Sequence, residues 1–257
     1  MKQEIFLYLI GTAGSGKSTL AHNYKQWINV HGLDAIVVNL DPGAENLPYT
    51  PDVDIRDWIS LSEVMDTHGL GPNGAQIACA DMLALNTDDV LKSIESFKTD
   101  YIIIDTPGQI ELFVFRQSGN IIIDSFKPDR SVTAYLIDHI LAKNPSGFIS
   151  QLLLSLTTQF RLGIPQINIL SKVDLLSDIE KEEVLSWSKD TYTLEQAVMN
   201  QNKSVYREMS ENIFRVIESF MQNSLLIPTS KEDFIGMDDI YTHLQFIFEG
   251  GEDALSD

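Results

Sequence analysis

Cysteine is all but missing from this 257-residue sequence, in which Cys79 stands alone. Its isolation excludes an internal disulfide and a cysteine-based metal cluster, and fits a reducing compartment. Cys79 itself reads as a small buried apolar side chain. Positive charge is scarce as well: 18 lysines and arginines stand against 37 aspartates and glutamates, for a net charge of −19. That balance opposes non-specific attraction to nucleic acid or to anionic membrane surfaces, so neither is expected as a direct partner. No internal repeat and no interdomain linker is visible. The first apolar run, Ile5 to Ile10, is too short to span a bilayer and has no basic region ahead of it. A cytoplasmic protein is expected.

What remains is an ordinary globular composition, 44% hydrophobic and 21% charged, in a chain long enough for one large core. The run Ile5 to Ile10 leads directly into Gly11-Thr12-Ala13-Gly14-Ser15-Gly16-Lys17-Ser18-Thr19. These residues fit G-x-x-x-x-G-K-[ST] between a buried strand and a helix start. Glycines let the backbone wrap an anion at dihedrals other residues resist, and the exposed N–H groups and helix dipole then face phosphates. Gly14, Ser15, Gly16 and Thr19 form the cradle. Lys17 is expected to reach the β and γ phosphates, and Ser18 to offer its hydroxyl to Mg²⁺.

The remaining chain keeps an alternating rhythm of strands and helices, which predicts an α/β fold with a mostly parallel sheet covered on both faces. Helical spacing runs from Lys17 to about His31. A second strand, Ala35 to Leu40, delivers Asp41 at its carboxyl end, where a doubly wound sheet opens its ligand crevice; Asp41 reads equally as a turn former before Pro42-Gly43. Residues 44–58 lack a period and read as an extended surface segment. Helices are expected from about Leu61, with Ser60 or Ser62 as cap, then over Ala75–Leu85 and Val90–Phe97. Between the first two of these lies a glycine-rich turn, His68 to Gly74, which reads as a shape-specific loop or a plain helix connector. Tyr101 to Ile104 delivers Asp105, followed by Thr106-Pro107-Gly108. In phosphate-loop enzymes such an aspartate holds Mg²⁺, the glycine N–H can meet the γ-phosphate, and Gln109 is placed to orient an attacking water. Gln109 reads alternatively as a solvated helix-start residue. Glu111 follows two residues on. Later strands are expected at 131–138, 166–170 and 225–228, with helices at Phe148–Phe160, Ser177–Trp187, Ser204–Met221 and Met237–Phe248. One domain, residues 1–248, carries a helical insertion at about 55–98, and residues 249–257 form an acidic tail.

Two strand ends bear on the base. A carboxylate at Asp174 accepts from guanine N1–H and the exocyclic amine, but repels the N1 lone pair of adenine. Ser171-Lys172-Val173-Asp174 has the form of the N-K-x-D motif of GTPases, with serine where asparagine is usual, so discrimination rests more on Asp174. Lys172 is expected to cover the base with its aliphatic stem. Thr229-Ser230-Lys231 lies where a weak further GTPase motif offers backbone N–H groups to guanine O6.

Taken together, Gly11 to Thr19, Asn39-Leu40-Asp41, Gly71-Pro72-Asn73, Asp105 to Gln109 and Ser171 to Asp174 make the sequence similar to the GPN-loop GTPases over nearly its whole length. The resemblance implies a single P-loop NTPase domain with the Gly-Pro-Asn loop on a helical insertion. It further implies a homodimeric, Mg²⁺-dependent hydrolase of GTP to GDP in which Gly71, Pro72 and Asn73 of each subunit reach the other's phosphate site. Eukaryotic relatives suggest an assembly client related to RNA polymerase. Arginines near the motifs are scarce, so a neutral Asn73 amide is the expected extra donor. Asp41, Gln109 and Glu111 form the expected polar shell around the attacking water. An assembly scaffold with negligible turnover and an adenine-specific ATPase or kinase are the competing expectations.

Overall fold

The computed structural model describes residues 4–201, 214, 216–220 and 225–250. Seven strands form one sheet: β1 (Ile5–Gly11), β2 (Ala35–Asn39), β3 (Val53–Asp54), β4 (Tyr101–Asp105), β5 (Ser131–Ile137), β6 (Gln166–Leu170) and β7 (Leu226–Pro228). Their spatial order is β3-β2-β4-β1-β5-β6-β7, and every pairing is parallel. The central strand β1 is flanked by β4 and β5, with Leu7 level with Ile103 on one side and Val132 on the other.

Strand side chains alternate between faces, and β1 uses both. Ile5, Leu7 and Leu9 enter one core with Leu20, Tyr24 and Ile28 of α1 (Lys17–Val30) and Ile240 and Leu244 of α11 (Met237–Glu249). Phe6, Tyr8 and Ile10 enter the other, beneath α2 (Leu61–His68), α3 (Pro72–Leu85), α4 (Thr87–Glu95), α5 (Ile110–Phe113), α6 (Gln117–Ser125) and α8 (Pro145–Leu162). The same face carries α9 (Asp178–Lys189) and α10 (Thr191–Gln201); the short α7 (His139–Ala142) follows β5. Burial on both faces is why these strands read as continuous apolar runs. Each fully buried leucine, isoleucine or phenylalanine stabilises the fold by about 1.5–3 kcal/mol relative to exposure.

Several local expectations change. Residues 44–58 do not simply run over the surface: Val53 and Asp54 pair in parallel with β2, and Val53, Ile55 and Ile59 are buried. The pairing overrides the missing period because a two-residue edge strand is too short to show one. Helix α3 begins at Pro72, inside the glycine-rich turn, with Gly71 as N-cap and proline at the first helical position, where its missing N–H costs nothing. Ser60 caps α2 by accepting the Glu63 amide. Helices α2, α3 and α4 contribute Val64, Cys79, Leu83 and Val90 to the shared core, so the inserted region packs on the sheet face rather than around a core of its own. Of the helix expected over 204–221, residues 214 and 216–220 are helical and the rest lie outside the described residues, as do residues 251–257 of the expected tail.

Candidate active site

The carboxyl ends of β1, β2, β4, β6 and β7 converge on two adjoining cavities. The first, about 570 Å³, is lined by Gly14, Gly16, Lys17, Ser18, Thr19, Asp41, Ala44, Asn46, Leu47, Pro48, Asp105, Thr106, Gly108 and Lys172. The second, about 190 Å³, is lined by Gly16, Thr19, Leu20, Asn23, Ser171, Lys172, Asp174, Leu175, Thr229, Ser230 and Lys231. Gly16, Thr19 and Lys172 belong to both, so a ligand with a compact head and an anionic tail can lie across them.

The loop after β1 needs its glycines. Gly16 caps α1 at φ 101°, in the left-handed region, and a Cβ on Gly11 would come within 2.7 Å of Ser15 Oγ and 2.9 Å of the Leu136 carbonyl. Lys17 opens α1 and is buried. Its ammonium donates to the carbonyls of Gly11 at 2.9 Å and Thr12 at 3.0 Å, and to that of Gly108 at 3.4 Å. Burial pulls its pKa down, partly offset by the carboxylates of Asp105 and Asp41. Ser15 is fully buried with its hydroxyl unpartnered.

Asp105 ends β4 and is 2% exposed. Burial raises its pKa, against which the Tyr49 and Ser18 hydroxyls and Lys17 favour the ionised form. Tyr49 donates to Oδ2 at 2.7 Å, while Oδ1 has no hydrogen-bond partner. Asp41 joins two strand ends: Oδ1 accepts the Gly43 amide at 2.9 Å and Oδ2 the Gly108 amide at 3.0 Å. Asn39 steadies this turn, its side chain accepting the Asp41 amide and donating to the Asp41 carbonyl and to Asp54. Burial alone would raise the pKa of Asp54, but hydrogen bonds from Arg56 and Asn39 bring it below the ordinary carboxyl value. Arg56 also donates to the Ala44 carbonyl at 2.8 Å, holding the strap of residues 44–49 against the first cavity.

In the second cavity, Lys172 has a left-handed backbone and its ammonium donates to the Gly14 carbonyl. Its Cε would lie 3.5 Å from a Cβ on Gly16, so the stem crosses the phosphate loop. Asp174 Oδ1 accepts from Ser230 Oγ at 3.1 Å. Ser171 is buried, with its hydroxyl donated to the Ile137 carbonyl at 3.1 Å. Asn23 of α1 donates to the Lys231 carbonyl at 3.2 Å and fixes the loop after β7.

Not every expected site residue joins these cavities. Gln109 is exposed and donates to Gln76 Oε1 at 3.0 Å, and Glu111 is exposed in the first turn of α5; neither lines either of these two cavities. Gly71, Pro72 and Asn73 are exposed as well. Gln76, one turn beyond Asn73 on the same helix face, lies beside both Gln109 and Gly43, which brings the start of α3 to the rim of the first cavity. Sequence reasoning missed Asn23, whose signal was a polar residue inside the apolar stripe of α1. It also missed Tyr49, Gln76 and the strap residues 46–48, for which no periodicity exists.

A family described as conserved hypothetical ATP binding protein matches residues 9–250. The chain is 34% identical to GPN-loop GTPase QQT1 of Arabidopsis thaliana, across 82% of this chain and 74% of that protein. It is 32% identical to GPN-loop GTPase 3 of Mycosarcoma maydis, across 95% and 91%. Against GPN-loop GTPase 1 of Dictyostelium discoideum it is 31% identical over 93% of this chain, but spans 60% of that relative's length. The solved structure of PAB0955, a GTPase in apo form from Pyrococcus abyssi, superposes with a TM-score of 0.83 at 28% identity, covering 95% of this chain and 97% of that one.

Proposed function

Because this chain belongs to the GPN-loop GTPase family, we propose that it binds GTP with Mg²⁺ and hydrolyses it to GDP and phosphate, as a homodimer whose subunits complete each other's sites. One observation carries the nucleotide reading: the cavity holding Lys17 and Asp105 adjoins the cavity holding Asp174, the two sharing Gly16, Thr19 and Lys172 as lining. The matching family description speaks of ATP and the relatives' names of GTP. The hydrogen-bonding chemistry of a carboxylate at Asp174 sides with guanine.

The residues present fit Mg²⁺. Asp105 Oδ1 is buried without a partner, and the Ser18 hydroxyl lies close enough to influence that carboxylate. Among the described residues no group of three or more acidic, histidine or cysteine side chains forms a cage, as suits a cation that takes much of its coordination from water and substrate phosphates. Ser18 and Asp105 would hold it, and when bound it would neutralise charge on the β and γ oxygens.

The protein's own groups then act as follows. Lys17 leaves the Gly11 and Thr12 carbonyls for the β and γ phosphates, and the loop N–H groups enclose the anion. We assign Asp41, which lines the cavity beside Gly108, to hold the water that attacks the γ-phosphorus, with Gln109 and Glu111 as outer polar groups. Water oxygen bonds to the γ-phosphorus as the bond to the β–γ bridging oxygen breaks, GDP departs with that electron pair, and both protons of the water end on the phosphoryl oxygens, giving dihydrogen phosphate that can lose one proton to solvent. Asn73 of the other subunit supplies a neutral donor to this site. The wider role we assign is nucleotide-dependent assembly of a protein complex, with a client related to RNA polymerase, in the cytoplasm. No helix among the described residues is long and apolar enough to cross a membrane.

Phosphate release from GTP and ATP, measured side by side for the native chain and Asp174→Ala, tests the reading. Turnover of GTP alone, lost in the variant, is expected. Preference for ATP, or GTP turnover unaffected by the substitution, contradicts it.

A further inference from the structure

The buried carboxylate of Asp105 is half satisfied. Oδ2 accepts the Tyr49 hydroxyl at 2.7 Å, and Oδ1 accepts nothing. Of the other polar groups nearby, Thr106 donates its hydroxyl to the Leu9 carbonyl at 2.6 Å and the Asn39 amide serves Asp41 and Asp54, while the Ser18 hydroxyl and the Lys17 ammonium lie close enough to favour the ionised carboxylate. A buried carboxylate with a single firm partner rotates unless that partner holds it, and metal-site carboxylates depend on outer hydrogen bonds for their orientation.

Tyr49 is itself held. It packs against the core containing α1, and the strap that carries it is pinned at Ala44 by Arg56. Between these anchors, Asn46, Leu47 and Pro48 wall the phosphate cavity. Tyr49 is therefore supplied from a segment 56 positions away in sequence to fix one oxygen of Asp105 and leave the other free.

We propose that Tyr49 is the positioning residue for the divalent cation: by occupying Oδ2 it presents Oδ1 of Asp105 toward the cation beside Ser18. The inference rests on the Mg²⁺-nucleotide reading above. Its test is the Mg²⁺ dependence of binding of a fluorescent GDP analogue at equilibrium, for the native chain, Tyr49→Phe and Tyr49→Ala. Tyr49→Phe keeps the ring and removes only the hydroxyl. It should raise the Mg²⁺ concentration at half-effect by about 10-fold to 100-fold and leave affinity in EDTA within about twofold of native, while Tyr49→Ala weakens both. An unshifted Mg²⁺ dependence in Tyr49→Phe overturns the proposal, as does an equal loss with and without Mg²⁺, which would mark a packing role. A native chain that binds the analogue under neither condition instead removes the guanine-nucleotide reading itself.

Discussion

Asp41 Oδ2 accepts the Gly108 amide at 3.0 Å, joining the ends of neighbouring strands β2 and β4. In the proposed site the same amide would donate to the γ-phosphate, so carboxylate and phosphate would compete for it. Replacing Asp41 by alanine removes the competitor and one negative charge from the phosphate cavity. We expect the affinity for a non-hydrolysable GTP analogue to rise relative to GDP by roughly tenfold, the equivalent of one charge-assisted hydrogen bond. Single-turnover hydrolysis should fall by roughly 10²-fold as the water loses its partner. Unchanged hydrolysis would remove Asp41 from the mechanism.

Asp105 carries a stability cost with a definite sign. Burial raises its carboxyl pKa above the unfolded value, so over that window the unfolded chain loses its proton first and stability falls as pH rises. Asp105→Asn has no such loss. Thermal unfolding without divalent cation or nucleotide should show the variant gaining on the native chain as pH goes from about 4 to about 8. GDP should stabilise both chains, and Mg²⁺ added over GDP should stabilise the native chain further while leaving the variant unmoved. A variant less stable than native throughout that range would contradict this account.

The strand ends were legible in the sequence because each is an apolar run stopped by a polar residue: Ile104 before Asp105, and Leu170 before the segment reaching Asp174. The strand-end residues that line the second cavity, Ser171 to Asp174 and Thr229 to Lys231, were legible for the same reason, whereas Asn23 of α1 was not. What holds the site together was not. Tyr49 to Asp105, Asp41 to Gly108 and Gln109 to Gln76 join residues 56, 67 and 33 positions apart, and no local period encodes such contacts. Strand order was equally hidden, since alternation of strands and helices fits many parallel sheets. The short β3 escaped because the pairing partner, not the segment's own pattern, makes it a strand.

Base selectivity should follow the carboxylate of Asp174. Asp174→Asn exchanges an acceptor for a donor on one side and disrupts two charge-assisted hydrogen bonds, each worth about 1.5–3 kcal/mol. GDP should weaken by roughly 10²-fold or more, whereas the xanthine nucleotide, with a carbonyl in place of the amine, should gain. Competition titrations of GDP, XDP and ADP read this directly. Equal weakening of GDP and XDP would mean that Asp174 does not touch the base edge.

The proposed action of Asn73 across subunits predicts a complementation pattern between variants. Asn73→Ala and Lys17→Ala should each be inactive as pure dimers. A mixed dimer in which the loop acts on the partner carries both lesions at one site and none at the other, so up to about half of native activity per heterodimer is expected. Activity absent from confirmed heterodimers would place the loop's action within its own subunit.

In the proposed dimer each subunit completes the other's guanine-nucleotide site, so turnover depends on two copies meeting. GTP turnover per subunit, measured against protein concentration with Mg²⁺ present and ATP as a parallel substrate, tests it most directly. Turnover should rise with concentration to a plateau, track dimer formation seen by sedimentation, and be confined to GTP. Turnover per subunit that stays constant down to concentrations where sedimentation shows only monomer, or that favours ATP, would contradict it.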